Sequence, residues 1–189
     1  MSFLSDLVKE INKVRANPAS YANIIDDLKQ HFQGRVLKLP GTNTGIQTEE
    51  GVAAYDECAR FLRSAEYAEE LTPSKGLTKV AEDLLVIGQK DDSEIARVDM
   101  NPIIDKYGSY EGSFNRIMEC GATTPQQVVI NLLVSDGEKS RNQRNALLNK
   151  NIKRIGVASG KHDIYRVATV ITLCTKFTSL SSSDDTQYY

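Results

Sequence analysis

Side chains that commonly carry out catalysis or bind metals are scarce in this chain. The only histidines are His31 and His162, and neither belongs to an HxxxH pair. A zinc site needs three or four His, Cys or carboxylate ligands that converge on one point. A histidine that acts as a general base also needs a nucleophile or paired acid beside it. We therefore expect no metal centre and no cofactor, with His31 at a helix end and His162 in a turn serving structural roles.

The cysteines suggest thiols and not a disulfide framework. Cys58, Cys120 and Cys174 are odd in number, lie far apart and form no CxxC pair. Cys120 could act as a nucleophile only beside a base that lowers its pKa, and no histidine is placed to do so. The sequence predicts three free thiols, mostly buried.

The overall charge gives no general attraction to nucleic acid or to acidic membranes. The chain carries 23 basic and 25 acidic residues, for a net charge of −2. Charges at Asp6, Lys9 and Glu10 interrupt the start where a secretory signal needs an apolar stretch, and no later run reaches membrane-spanning length. These features predict a cytoplasmic protein without a transmembrane segment, with association with the cytoskeleton or a cilium as a narrower hypothesis.

Local charge is uneven along the chain. Acidic residues concentrate between positions 49 and 70, and residues 139–161 carry only basic charges. Such a run is usually a solvated face, but it could also bind an acidic protein surface or anionic lipid headgroups. Nucleic acid is disfavoured because no aromatic residues are interleaved with the charges. We expect these side chains to be exposed as a partner-binding surface: Lys139, Arg141, Arg144, Lys150, Lys153, Arg154 and Lys161.

Hydrophobic periodicity predicts helices first and strands last. Apolar residues at helical spacing, with breaks at Pro and Gly, predict helices over 3–16, 19–32, 49–64 and 74–88, and a later helix that begins at Thr124-Pro125. Residues 89–100 are polar and predict a loop, while 113–120 predicts a strand. Two β-branched runs over 152–159 and 164–177 flank a four-residue turn, as a hairpin requires. This order predicts one α+β domain over 1–178, followed by a polar tail over 179–189.

Four segments together resemble the CAP superfamily of cysteine-rich secretory, antigen 5 and pathogenesis-related proteins, in its branch without a signal peptide. They read INKVRANPASY, TEEGVAAYDECARFL, TTPQQVVINLLVSDG and RIGVASGKHDIYRVATVI, and cover most of residues 7–177. The resemblance implies an α-β-α sandwich with helices around a small, mainly antiparallel sheet. It also implies a central cleft that typically carries two histidines and two acidic residues able to hold a divalent metal.

This chain departs from the family pattern at the cleft. Arg116 stands where the resemblance places a glutamate, and Gln143 stands where it places a histidine. The loop over 89–100, where the other histidine belongs, contains none. Asp136 keeps the acidic turn of the family with Gly137 and Glu138, either as a remaining ligand or as ordinary turn geometry. A fixed positive charge at Arg116 disfavours a metal in the cleft.

A kept scaffold with a changed site favours a binding function over catalysis. The first hypothesis is a non-catalytic CAP-like module that binds proteins as a subunit or scaffold of a larger cytosolic or cytoskeletal assembly. A lipid-binding or sterol-binding CAP protein is the first alternative. A hydrolase with an unrecognised site is the second, although no acid–base pair is readable.

Overall fold

The first helices form where the apolar spacing predicts them. The computed structural model describes residues 2–180. The first helix buries its apolar stripe at Leu7, Val8 and Ile11, and the side chain of Asn17 accepts the Ser20 N–H to begin the second. The helices are α1 (Phe3–Ala16), α2 (Pro18–Lys29), α3 (Val52–Ser64), α4 (Lys75–Gly88), α5 (Glu94–Arg97), α6 (Asn101–Asp105), α7 (Pro125–Val134) and α8 (Asn142–Leu148).

Three helix predictions needed correction. The second helix ends at Lys29 and not at 32, because the chain turns there into a short strand. The third begins at Val52 and not at 49, because the N–H groups of Glu49 and Glu50 are bound by a carboxylate from another loop. The predicted loop over 89–100 contains the four-residue helix α5.

The described strands form two sheets. A small antiparallel sheet contains β1 (Phe32–Gln33), β2 (Val36–Leu37) and β3 (Ile46–Gln47), and the larger sheet contains β4 (Thr72–Pro73), β5 (Gly108–Cys120), β6 (Arg154–His162) and β7 (Arg166–Ser179). The larger sheet has the order β4-β6-β7-β5, with β4 parallel to β6 and the other pairs antiparallel. The predicted C-terminal hairpin is therefore present, and the strand predicted over 113–120 begins earlier, at Gly108.

Helices cover both faces of the larger sheet. On one face, α1, α2, α3, α7 and α8 form a core with Ile117 of β5, Ile155 of β6 and Ile171 of β7. On the other face, α4, α5 and α6 pack against Ala158 and Val170. The α+β class and the predicted α-β-α sandwich are confirmed by these layers. Strand β7 includes Ser179, the first residue of the predicted tail, whereas 181–189 lie outside the described residues.

A buried arginine joins α1 to the segment that leads into β6. Arg15 is fully buried, and its guanidinium donates hydrogen bonds to four backbone carbonyls. The acceptors are the carbonyl oxygens of Glu69, Leu147, Asn149 and Ile152, at 2.6–3.1 Å. Burial lowers the pKa of Arg15 to about 10, which still leaves it charged at neutral pH. Arg15 thereby fixes the end of α8, which carries residues of the predicted cleft.

Candidate functional site

Gln143 of α8 lies between two cavities. The first, here called the Tyr55 cavity, has a volume of about 250 Å³ and is lined by Ile46, Gln47, Thr48, Tyr55, Asn131, Val134, Ser135, Asp136, Glu138 and Gln143. The second, the Arg116 cavity, has a volume of about 340 Å³ and is lined by Asp92, Ile95, Ala96, Arg116, Ile117, Met118 and Gln143. Asp136 and Arg116, the other two positions singled out from the resemblance, therefore each line a cavity together with Gln143.

The guanidinium of Arg116 lines the Arg116 cavity and is held by a hydrogen bond. Arg116 lies on β5, and its Nη2 donates a hydrogen bond to the Ala96 carbonyl oxygen at 2.9 Å. Asp92 lines the same cavity and contributes an opposite charge. The guanidinium thus stands on the cavity wall and joins β5 to α5.

The loop between α7 and α8 is held by ion pairs and backbone hydrogen bonds. Both carboxylate oxygens of Asp136 accept backbone N–H groups, from Glu49 at 2.7 Å and Glu50 at 2.9 Å. Arg141 donates through Nη1 and Nη2 to the two oxygens of Glu50, at 2.6 and 2.8 Å. Because both oxygens of Asp136 are engaged in this way, its interactions match turn geometry and not a free ligand.

Two non-glycine residues of this loop adopt left-handed backbone conformations. Ser135 ends α7 at φ 47°, and its hydroxyl donates to the Leu132 carbonyl at 2.9 Å. Arg141 precedes α8 at φ 52°, a conformation that costs energy for a side chain of this size. The ion pair with Glu50 offsets that cost, and it holds the pKa of Glu50 down at about 2, with a further contribution from the Gly137 N–H.

The prediction that Arg141 and Arg144 are exposed is wrong. The Arg144 side chain is 1% exposed, and its Nη2 donates to both carboxylate oxygens of Glu57, at 2.7 and 2.9 Å. Its guanidinium also stacks on the Phe61 ring. The Arg141 side chain is only 12% exposed, bound to Glu50. Both arginines serve the packing of α8 against α3.

The rest of the basic run is largely paired within the molecule. Lys150 pairs with Glu66, Lys153 with Glu69 at 2.6 Å, and Lys161 with Asp163 at 3.5 Å. Lys139 is exposed, and Arg154 is half-buried on β6. The acidic segment over 49–70 therefore neutralises much of the basic segment over 139–161. The predicted basic surface is thus not one continuous, exposed patch.

The Tyr55 cavity contains hydrogen-bonding groups that have no partner in residues 2–180. Tyr55 is 3% exposed and lines the cavity, and no described residue hydrogen bonds to its hydroxyl. Burial raises the pKa of Tyr55 to about 12, with a smaller contribution from the charge of Asp136. No described residue hydrogen bonds to the half-buried side-chain amide of Gln143, and the Oε2 atom of Glu138 is buried and unpaired. The cavity therefore presents a hydroxyl, an amide and an uncompensated carboxylate charge.

A buried carboxylate next to the cavity was missed by the sequence analysis. Glu119 on β5 accepts hydrogen bonds from Asn131 Nδ2 at 2.7 Å and from the Ala122 N–H at 3.3 Å. Burial raises its pKa. The signal was present in the sequence, because Glu119 follows Ile117 by two positions and strand residues two apart share a face. Through Asn131, this carboxylate is connected to the wall of the Tyr55 cavity.

Neither histidine lines these two cavities. His162, the last residue of β6, is fully buried, and its Nδ1 accepts the backbone N–H groups of Ile164 at 3.1 Å and Tyr165 at 3.2 Å. The Nδ1 lone pair is therefore engaged in closing the hairpin turn, and the buried Nε2 has no partner among the described residues. His31 follows the end of α2, as predicted, whereas His162 belongs to β6 and not to the turn predicted over 160–163, because the strand continues to that residue.

Residues 2–180 contain neither a metal-binding cluster nor a membrane-spanning helix. No group of three or more His, Cys, Asp or Glu side chains in residues 2–180 is arranged to hold a metal ion. Within the same residues, no helix is long and apolar enough to cross a membrane. The cysteines lie on different elements, with Cys58 and Cys174 buried and Cys120 half-buried.

The comparisons with known proteins give similarities of fold only. No family model matches the chain, and no curated protein matches it. An outer surface protein from Borrelia burgdorferi is similar with a TM-score of 0.38 and 16% identity, over 58% of this chain and 80% of that one. A cysteine-rich secretory protein from Staphylococcus aureus is similar with a TM-score of 0.40 and 15% identity, over 82% of this chain. The match spans 49%, about half, of the staphylococcal chain.

Proposed function

We propose that this protein is a non-catalytic binding module for proteins, and that the partner binds in the cleft around Gln143. The observation that carries the proposal is that Gln143 lines both cavities, while no residue in 2–180 hydrogen bonds to its amide. Amides and hydroxyls supply recognition without a strong nucleophile or base. The cleft is also built on a loop fixed by Asp136, Glu50 and Arg141, which reduces the entropy lost on binding.

The side chains of the cleft favour binding over hydrolysis. A hydrolase of the usual kind needs a nucleophile within hydrogen-bond reach of a base, or a metal that activates water. No histidine lines either cavity, and the Nδ1 atom of His162 is occupied by two backbone N–H groups, so it is not free to act as a base in the cleft. The cation at Arg116 stands where the family resemblance places a carboxylate. We therefore propose that the protein binds its partners as a subunit or scaffold of a larger assembly.

The proposal is tested by filling the cleft and measuring what the protein still recovers. Gln143→Arg places a longer side chain between both cavities, and Gln126→Arg makes the same change at an exposed position of α7 that lines neither cavity. Affinity purification from the native cell, followed by quantitative mass spectrometry, should show partners that Gln143→Arg loses and Gln126→Arg retains.

Two parallel assays separate this function from its alternatives. Flotation with vesicles that contain phosphatidylserine and a sterol tests for lipid binding, and turnover of p-nitrophenyl acetate tests for hydrolysis. We expect neither activity to depend on Gln143. Equal recovery of partners by both variants, or vesicle binding or ester turnover lost only in Gln143→Arg, would contradict the proposal.

A further inference from the structure

Tyr55 forms part of the wall of the Tyr55 cavity, and no described residue hydrogen bonds to its hydroxyl. Tyr55 packs edge-on against Phe32, with ring centres 5.0 Å apart, so its ring is held by the core. A tyrosine hydroxyl that lines a cavity can donate one hydrogen bond and accept others, so it is available to a ligand. Tyr55 is 3% exposed, and its hydroxyl oxygen is not among the fully buried atoms, so the hydroxyl keeps access to the cavity. A ligand in the cavity could supply the missing partner.

The charge of the cavity is entirely negative. Its lining includes the carboxylates of Asp136 and Glu138 and no basic side chain. Arg141 and Lys139 are close in sequence but do not line the cavity. Arg141 is bound to Glu50, and Lys139 is exposed at the surface. The hydrogen bonds that Asp136 accepts do not remove its charge, and Glu138 has one oxygen paired with Ser140 and the other unpaired. The field inside the cavity therefore favours a positively charged group.

The size of the cavity restricts the occupant. Pockets for whole small-molecule ligands commonly measure about 300–1,000 Å³, and this cavity measures about 250 Å³. Its volume suits one long side chain better than a larger molecule. A bare metal ion is disfavoured, because Asp136 already accepts two backbone N–H groups and only one other carboxylate lines the cavity.

We propose that the Tyr55 cavity receives a lysine or arginine side chain of a protein partner. The cation would lie near Glu138 and Asp136, and its N–H groups would donate to the Tyr55 hydroxyl and to the amide oxygen of Gln143. Apolar contacts with Ile46 and Val134, which also line the cavity, suit the methylene stem of such a side chain. This inference rests on the proposed function and names the chemistry of the partner at the same cleft. It reverses the expectation from sequence, which assigned the positive charge to this protein.

The test uses small probes that carry the side chain alone. The full-length ¹⁵N-labelled protein is titrated with Nα-acetyl-lysine N-methylamide, with the arginine analogue, and with the norleucine analogue, which has an alkyl chain but no charge. We expect saturable shifts of the backbone amides of Gly137, Glu138 and Tyr55 with a cationic probe and none with norleucine. Raising the salt concentration should weaken the binding.

Two variants test the named groups. Glu138→Gln keeps the shape and the Ser140 contact but removes the charge, and should raise the dissociation constant of the cationic probe roughly tenfold, as expected for a charge-assisted interaction. Tyr55→Phe removes an unpaired hydroxyl and should raise it by a smaller factor without loss of fold. Glu82→Gln on α4 is the matched control and should change nothing. Equal binding of norleucine to the wild type, or an unchanged constant in folded Glu138→Gln, overturns the assignment.

The outcomes also separate this inference from the proposed function. If Gln143→Arg loses protein partners but no cationic probe shifts the cavity amides, the cation assignment is wrong and the binding function stands. If the cationic probes bind as expected but Gln143→Arg loses no partner, the proposed function is wrong, and the assignment of a protein partner is overturned with it.

Discussion

The guanidinium carbon of Arg144 lies 4.5 Å from the centre of the Phe61 ring, with Glu57 bound to the same side chain. Phe61 and Glu57 both belong to α3, and Arg144 belongs to α8, so this contact joins the two helices beside the cleft. An arginine stacked on an aromatic face and paired in this way is not replaceable by another cation. The residue that looked like surface charge in the sequence is part of the packing.

Arg144→Glu is therefore expected to destabilise the protein strongly. The change places a second carboxylate beside Glu57 in a site where the native side chain is 1% exposed, and should lower the free energy of unfolding by at least about 3 kcal/mol. Lys153→Glu is the control, because that side chain is 43% exposed and its pair with Glu69 contributes at most about 1 kcal/mol. Urea unfolding followed by circular dichroism measures both. Similar losses in the two variants would show that Arg144 is not a packing residue.

Sequence periodicity predicted the long helices of the fold but not its short elements. Periodicity predicted α1 and α4 well, because a helix that buries one stripe repeats its apolar residues at a fixed spacing. It missed α8 and the two-residue strands β1 to β4, which are too short to show a period. The parallel pairing of Thr72 and Pro73 with β6 depends on a distant segment and leaves no local pattern.

The candidate site was predictable only in part. The family resemblance pointed to Arg116, Gln143 and Asp136, and the structure brings these positions to two cavities that share Gln143. The contribution of Tyr55 was hidden, because an aromatic residue at helical spacing looks like ordinary core. The run of basic residues misled, because the acidic residues that neutralise it are more than 80 positions away in the chain.

Arg15→Met should destabilise the domain by about 2–4 kcal/mol. The substitution keeps a long apolar side chain but removes the donor to the carbonyls of Glu69, Leu147 and Ile152, and unsatisfied buried polar groups are costly. The Asn149 carbonyl loses Arg15 but still accepts the Ile152 N–H. Arg60→Met at an exposed position of α3 is the matched control and should change stability by no more than about 0.5 kcal/mol. Thermal and urea unfolding measure the difference. A loss in Arg15→Met no larger than that of the control would contradict the role assigned to Arg15.

The thiols should be unlinked and slow to react at neutral pH. Burial raises the pKa of Cys58 and of Cys120 to about 12, so little thiolate is present. Cys174 is buried in β7. We expect iodoacetamide at about pH 8 to label half-buried Cys120 first and the other two only after unfolding in urea, as read by peptide mass spectrometry. A disulfide-linked peptide, or rapid labelling of Cys58 in the folded protein, would contradict this.

No stoichiometric transition metal is expected to stay with the protein after dialysis. Gln143 lacks the imidazole that the family resemblance places there, and the Arg116 guanidinium repels a cation at the second cavity. Elemental analysis of protein purified without chelators measures the content. Gln143→His restores an imidazole at the cleft and serves as the comparison. It should retain no more metal than the wild type, because no group of three or more ligands is arranged to hold a metal in residues 2–180. About one metal per wild-type chain would show that the prediction is wrong.

The ion pair between Glu50 and Arg141 should make stability fall in acid. The folded-state pKa of Glu50 is held at about 2, below the value of about 4.3 for glutamate in an unfolded chain. A carboxyl group with a lowered folded-state pKa contributes stability that is fully present above the unfolded value and is lost as the pH falls toward the folded one. The contribution of Glu50 is thus expected to be complete at neutral pH and to disappear between about pH 5 and pH 2.

Glu50→Gln isolates this contribution, because the amide is similar in shape and does not titrate in that range. The difference in unfolding free energy between wild type and Glu50→Gln should be largest at neutral pH and should shrink steadily as the pH is lowered toward about 2. Glu82→Gln, on the exposed face of α4, removes only an exposed ion pair and should differ from the wild type by at most about 1 kcal/mol at every pH. Urea unfolding at a series of pH values measures all three proteins. A Glu50→Gln difference that stays constant with pH would show that the carboxylate charge does not hold the loop between α7 and α8.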